Sequence, residues 1–394
     1  MSAFPPTAAA TLPEDGASGA LVGRVWRPDL GGPSVVAVRP DGVHDITATF
    51  PTVRDLCETA DPATALRAAT GPDLGDLDAL LANTPVEHRD PARPWLLAPI
   101  DLQVVKAAGV TFAVSMLERV IEERTRGDAS TAAAVRAEIT ALLGDGRTLA
   151  DLRPGSPEAA AVRHVLEERG VWSQYLEVGI GPDAEIFTKA PVLAAVGTAT
   201  DAGIHPDSHW NNPEPEVVLA VSSTGRVVGA TLGNDVNLRD IEGRSALLLP
   251  KAKDNNASAA LGPFLRLFDP GFDLADVRTA TVTLTVDGTD GHHVDGTSSM
   301  REISRDPEDL VAQLINPTHQ YPDGAVLYLG TMYAPIDDRD APGQGFTHHR
   351  DDLVTVATPR LGSLVNRVRT SDTCEPWTFG TADLFRNLAT RGVL

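Results

Sequence analysis

Residues 213–235, PEPEVVLAVSSTGRVVGATLGND, constrain the fold more than any other stretch of this 394-residue chain. Glu214 and Glu216 stand two apart and lead directly into the apolar run VVLAV. Side chains two apart on a strand share a face, so both carboxylates point the same way beside a segment that must be buried. Ser223-Thr224-Gly225-Arg226 reads as a hairpin turn, and the following RVVGATLGND as the return strand. With Thr224-Gly225 as a two-residue loop, Ser223 faces Arg226 and Glu214 faces Asp235, their Cβ atoms roughly 5 Å apart. Like charges at that spacing beside an apolar core need a positive partner. Oxygen-only ligands favour a hard ion, Mg2+ first, with Mn2+ or Ca2+ as substitutes. The competing reading puts both glutamates on a solvent-facing edge strand, which Pro215 permits.

Composition narrows the surroundings of this hairpin. Lys plus Arg is 33 against 54 Asp plus Glu, a formal charge of -21 that repels phosphate backbones and argues against nucleic acid as a partner. Cys57 and Cys374 alone support neither a disulfide framework nor a cysteine zinc site. No apolar run is long enough to span a membrane. No signal peptide is visible either, so a cytoplasmic enzyme is expected.

Along the chain, residues 1–18 (MSAFPPTAAATLPEDGAS) read as a loose tail, and residues 19–98 as a small N-terminal α/β domain ending in a Pro-rich stretch. Within it, Val53–Ala82 reads as helical. Residues 99–394 form the remaining domain. Ser115–Arg126, Ala132–Leu143 and Pro157–Arg169 read as helices, the first with Met116, Val120 and Ile121 on one face. Beyond Trp172 the pattern turns to short strands: VLAAVG, EVVLAVS, RVVGATLGNDV, TATVTLTVDG, AVLYLGTMYAP and LVTVATPRLGSLVNRV. The fold class predicted is α+β with a mostly antiparallel core.

The blocks PEPEVVLAV, GNDVNLRDIEGRS, KAKDNNASAALGP and DGAVLYLGTMYAP resemble, in order and spacing, the fumarylacetoacetate hydrolase superfamily. GVTF (109–112), ERVIEE (118–123), AEIFTKA (184–190) and DSHWNNPEPE (207–216) resemble its 2-keto-3-deoxy-pentonate dehydratase subgroup most closely. The resemblance implies a mixed β-roll with lid helices, and a divalent metal held by Glu185, Glu214, Glu216 and Asp235. It implies Lys253 as the active-site lysine, a substrate-contacting turn at Gly330-Thr331, and supporting roles for Lys189 and Arg239. Hydrolases of the superfamily often carry a lid histidine that activates water; the stretch from Gly109 to Glu123 has none, which favours a lyase.

The activity implied is Mg2+-dependent dehydration of 2-keto-3-deoxy-D-pentonate, derived from D-xylonate or D-arabinonate, to 2,5-dioxopentanoate. Lys253, its pKa lowered by partial burial and the nearby cation, takes the C3 proton, and Glu118 or Glu122 on the lid helix protonates the leaving C4 hydroxyl. Acylpyruvate hydrolysis, oxaloacetate decarboxylation and non-catalytic keto-acid binding are the alternatives. A small 2-keto acid is the expected partner and a homodimer or homotetramer the expected assembly. Read without the resemblance, Lys253 is a surface lysine beside Asp254, Glu118, Glu122 and Glu123 are a solvated helix face, and His205, His209, His292-His293 and His348-His349 are loop residues.

Overall fold

The computed structural model describes residues 4–143 and 152–394. Ten strands form one large sheet. Its order is Gly42–Asp45, Gly32–Arg39, Leu21–Arg27, Ala259–Leu267, Val227–Asp235, Pro215–Val221, Ala325–Tyr328, Val104–Ala108 and Ile186–Ala190, with Trp95–Leu97 also pairing with Leu21–Arg27. Among its described strands only Ala325–Tyr328 and Val104–Ala108 pair in parallel, with one further parallel bridge from Val196 to Ala260. A five-stranded sheet runs His293–Ser299, Thr281–Asp287, Leu353–Thr358, Gly362–Thr370 and Thr200–Ile204, parallel only at its last pair. The mostly antiparallel α+β architecture expected from the sequence is the one observed.

Strand Pro215–Val221 sits in the middle of the large sheet, which explains its unbroken apolar run. Val217, Leu219 and Val221 pack into a core with Leu284, Val286, Val354 and Val356 of the five-stranded sheet. Val218 and Ala220 pack on the other face with Val22, Ile46, Leu56 and Tyr328. A strand covered on both faces has no polar alternation to display. Glu214 and Glu216 share the parity of Val218 and Ala220, so they belong to that second face. Gly233 lies opposite Glu216. A Cβ there would lie 2.2 Å from the Tyr328 ring, and the aromatic side chain occupies the room that glycine leaves.

The hairpin reaches the expected pairing of Glu214 with Asp235 by a different route. Ser222 N donates to Arg226 O at 2.9 Å, so the loop contains three residues, 223–225, and Gly225 adopts the left-handed region at φ +82°. The register then shifts by one residue between Val227 and Gly229. From Gly229 facing Ala220 onward it matches the two-residue-loop prediction, and Asp235 N donates to Glu214 O at 3.0 Å.

Four expectations about organisation need correction. Residues 4–18 are docked, not loose: Thr11 is buried and Asp15 takes both Nη atoms of the buried Arg266 at 2.9 and 2.6 Å. An arginine inside the sheet needs that counter-charge. Residues 19–98 do not form a sheet of their own; Leu21–Arg27 is hydrogen-bonded to Ala259–Leu267. VLAAVG forms a single bridge at Val196, because Pro191 and the left-handed Leu193 (φ +66°) break the extended run. Val53–Ala82 is three short helices, Val53–Cys57, Pro62–Ala68 and Leu77–Ala82.

Helices Ala113–Thr125, Ala132–Leu143, Pro157–Glu168 and Gln174–Ile180 form a separate layer. Met116, Val120 and Ile121 of the first meet Leu166, Tyr175, Leu176 and Trp210 in one apolar cluster. That cluster seats the lid over the open end of the hairpin.

Candidate metal centre

The hairpin's two ends bring Glu214, Glu216 and Asp235 together, all buried, with one oxygen from each within 4.8 Å of the others. The edge-strand reading therefore fails: the strand is central and these carboxylates face inward. Two lysines enter among them. Lys253 Nζ lies 2.5 Å from Glu214 Oε2 and 3.2 Å from Asp235 Oδ2. Lys189 Nζ lies 2.7 Å from Asp235 Oδ1 and donates to the carbonyls of Val236 and Lys253 at 3.1 and 2.6 Å. Lys253 is thus no surface residue; it is 1% exposed.

The charge state of each group follows from its neighbours. Burial pushes the Lys253 ammonium down, but Asp235 and Glu214 outweigh it and hold this lysine above its ordinary value. The lowered pKa expected for Lys253 thus depends on a nearby cation, because its protein neighbours by themselves raise it. At Lys189 the balance reverses, and burial wins over Asp235. Asp235 is held below the usual carboxylate range, because Lys189 and Lys253 together overcome its burial. Glu216 differs from all of these. Burial, Asp235 and Glu214 drive its carboxyl well above 4.5. Among the described residues, only the Gly330 N–H at 2.6 Å and the Thr331 hydroxyl at 3.4 Å donate to it. Among the described residues, no lysine, arginine or histidine forms an ion pair with Glu216.

Gly330 delivers that N–H from a left-handed backbone (φ +108°), and a Cβ there would lie 1.8 Å from Thr111 Oγ1. The Gly330-Thr331 turn therefore grips Glu216 directly. Glu185 stands apart from the trio. Its Oε2 lies 2.0 Å from where a Cβ on Gly109 would be, so it packs against that glycine. Burial pushes its carboxyl up, with Arg119 and Lys253 opposing.

The lid helix presents acids and bases to the same place. Glu118 and Glu122, read by pattern as a solvated face, are buried. Glu122 meets Arg119 at 2.8 Å and Arg239 at 3.3 Å. Glu118 meets Arg136 at 2.6 Å and Arg239 at 3.8 Å. Arg239 also donates to Asn212 Oδ1 at 2.8 Å and Pro335 O at 3.3 Å, and its guanidinium lies 5.5 Å from the centre of the Trp210 ring. Two functional candidates escaped the sequence reading. Arg119 donates to Glu214 Oε1 at 2.6 Å and to Glu242 Oε2 at 2.5 Å. Burial pushes the Glu242 carboxyl up to about 7, with Arg119 opposing. Glu242 lies within GNDVNLRDIEGRS, so its block was visible although its role was not.

The donor set fits a hard divalent cation: three converging carboxylates, no sulfur, and one buried acid without a cationic partner. Residues 219–369 match the family model of the fumarylacetoacetate (FAA) hydrolase C-terminal domain. Over those residues the chain is similar to that family's C-terminal domain. The 2-dehydro-3-deoxy-D-arabinonate dehydratase of Saccharolobus solfataricus is 28% identical over 185 residues, 47% of this chain and 58% of that protein. The probable 2-keto-3-deoxyxylonate dehydratase of Haloferax volcanii is 30% identical over 205 residues, 52% of this chain and 66% of that protein. The matched segments thus span less than two thirds of either relative's own length. A solved 2-keto-3-deoxyarabinonate dehydratase superposes with a TM-score of 0.60 at 19% identity, covering 89% of this chain and 99% of the other. A 2-keto-3-deoxy-D-arabinonate dehydratase complexed with magnesium and 2,5-dioxopentanoate superposes at 0.56, with the same identity and coverage. At that identity these two structures establish the shared fold.

Proposed function

We propose that this chain is a Mg2+-dependent dehydratase that converts 2-keto-3-deoxy-D-pentonate to 2,5-dioxopentanoate. The observation that carries the reading is the buried trio Glu214, Glu216 and Asp235 with the Lys253 amine between two of its members. Both curated relatives are named as dehydratases of this substrate class. Glu214, Glu216 and Asp235, with Glu185 as a further candidate, would hold Mg2+, which would supply Lewis-acid polarisation of an α-oxo carboxylate.

The chain's own residues do the rest. Lys253 accepts the C3 proton. Its ammonium is held up by Asp235 and Glu214 against burial and Arg119, and a cation on those carboxylates would weaken that hold and favour the neutral amine. The C4 hydroxyl leaves as water, taking a proton from the lid side, where Glu118, Glu122 and Glu242 converge on Arg119 and Arg239. Tautomerisation then gives the C5 aldehyde. Thr331 and Gly330 hold Glu216 in place and orient the substrate carboxylate, while Lys189 and Arg239 keep the floor charged and ordered. The lid stretch without histidine supports loss of water over attack by it.

Incubating the protein with Mg2+ and 2-keto-3-deoxy-D-pentonate, then trapping the aldehyde, tests the reading. Aldehyde formation is expected; turnover of acetylpyruvate without it would instead assign a hydrolase. The same proposal includes a cytoplasmic homodimer or homotetramer, checked by light scattering. Among the described residues no helix is long and apolar enough to cross a membrane.

A further inference from the structure

Among the described residues, the lid's hydrogen bonds to the acidic trio come from one side chain. Arg119, in the second turn of helix Ala113–Thr125, is 8% exposed and makes three carboxylate contacts. Nη2 donates to Glu214 Oε1 at 2.6 Å, and Nη1 donates to Glu242 Oε2 at 2.5 Å and to Glu122 Oε2 at 2.8 Å. The other oxygen of Glu214 accepts from Lys253 Nζ at 2.5 Å. Both oxygens of one trio carboxylate are therefore fixed, one by the floor and one by the lid. The other lid ion pairs go elsewhere: Glu122 and Glu118 to Arg239, and Glu118 to Arg136.

We propose that Arg119 is a positioning residue that couples docking of helix Ala113–Thr125 to occupation of the Glu214–Glu216–Asp235 trio by a divalent cation. The inference rests on the cation-site reading above and not on the dehydration chemistry. A guanidinium is planar and holds a carboxylate in a set orientation, which an ammonium on a flexible stem does not. Groups that orient a metal ligand typically change affinity by 10–100-fold when removed. Whatever the docked lid adds to cation affinity, the bound cation must return as lid stability by the same factor.

One effect runs the other way, since a positive guanidinium near the trio repels a cation. Arg119 faces Glu122 and Glu242 as well as Glu214, so its single charge is outnumbered by the carboxylates it touches. Orientation is therefore the larger effect. The two have opposite signs, and R119K separates them by keeping the charge while losing the fork.

The experiment combines calorimetric Mg2+ titration with hydrogen exchange across residues 113–125, on the full chain, for the parent, R119K and E123Q. Glu123 is a lid residue that meets Gln174 and does not touch the trio. In the parent and in E123Q, saturating Mg2+ should slow lid exchange about 10–100-fold. R119K should bind Mg2+ weaker by a similar factor and lose that slowing, while exchange in strands Pro215–Val221 and Val227–Asp235 stays at the parent level. Mg2+ bound by the parent without any slowing of the lid overturns the coupling. So does R119K binding Mg2+ as tightly as the parent. Should R119K fail to fold, exchange in the parent alone decides. No Mg2+ binding by the parent would overturn the cation-site reading and the coupling together.

Discussion

Two ionic clusters in this molecule, each built on buried carboxylates, serve opposite ends. Around Arg339, the charges are matched. Asp352 takes Nη1 and Nη2 at 2.6 and 2.8 Å, Asp290 takes Nε and Nη2 at 3.1 and 3.0 Å, and His348 Nδ1 stands 3.2 Å from Asp352. Burial raises the Asp352 carboxyl, yet Arg339 and His348 still hold it at about 2. Around Glu214, Glu216 and Asp235, the lysines and Arg119 serve two acids and leave Glu216 with only neutral donors. The first cluster is closed by its own charges and ties loops together. The second is complete only when something positive reaches Glu216. A buried ion cluster thus points to function when its charges fail to close, not when they are merely numerous.

This contrast can be broken by mutation. The largest effect is expected at the open cluster: Glu214→Ala should lower dehydratase turnover on the order of 10³-fold or more, with the fold retained. Steady-state kinetics and circular dichroism check it together. In the closed cluster, Asp352→Ala leaves Arg339 paired only with the exposed Asp290 and should cost about 1–3 kcal/mol in urea denaturation. Mg2+ affinity per folded molecule should stay unchanged there, and a loss of affinity would erase the distinction between the clusters. Lys253→Met comes next, with turnover reduced about 10²-fold or more while Mg2+ still binds by calorimetry.

The smallest effect is a pH dependence, and its sign is fixed by the raised carboxyls. Glu216 and Glu242 both lie above the ordinary 4.5 in the ion-free fold. Their contribution to stability is full below that value and is lost as pH rises through the folded value, about 7 for Glu242. A cation must displace the Glu216 proton, so Mg2+ affinity should rise with pH, at most about tenfold per unit. Titrations from pH 5 to 8 measure this, and a flat profile would mean Glu216 is already ionised without the ion.

How much of this was legible in the sequence depends on the range of the interaction. The parity of Glu214 and Glu216 and the pairing of Glu214 with Asp235 are local, so period-2 reasoning reached them. The loop was misjudged by one residue, but the irregularity between Val227 and Gly229 compensated for it. Met116, Val120 and Ile121 were legible as a helix face because their spacing alone defines it. The acids on that helix were not. Glu118 and Glu122 look like a solvated face until Arg239, over a hundred residues away, is folded against them. Arg119 three residues before Glu122 reads as an ordinary exposed ion pair. Its contacts with Glu214 and Glu242 exist only once the lid is seated through Trp210 and Tyr175. Lys253 was found by its family block, because a lysine beside an aspartate carries no signal of burial.

The central claim is that the three carboxylates form a divalent-cation site whose unmet member is Glu216. Thermal unfolding with and without Mg2+, in the parent and in Glu216→Gln, tests it most directly. The parent should gain stability with Mg2+, whereas Glu216→Gln, relieved of a buried unpaired acid, should be at least as stable as the ion-free parent and gain nothing from the ion. A Glu216→Gln protein stabilised by Mg2+ as much as the parent would contradict the account.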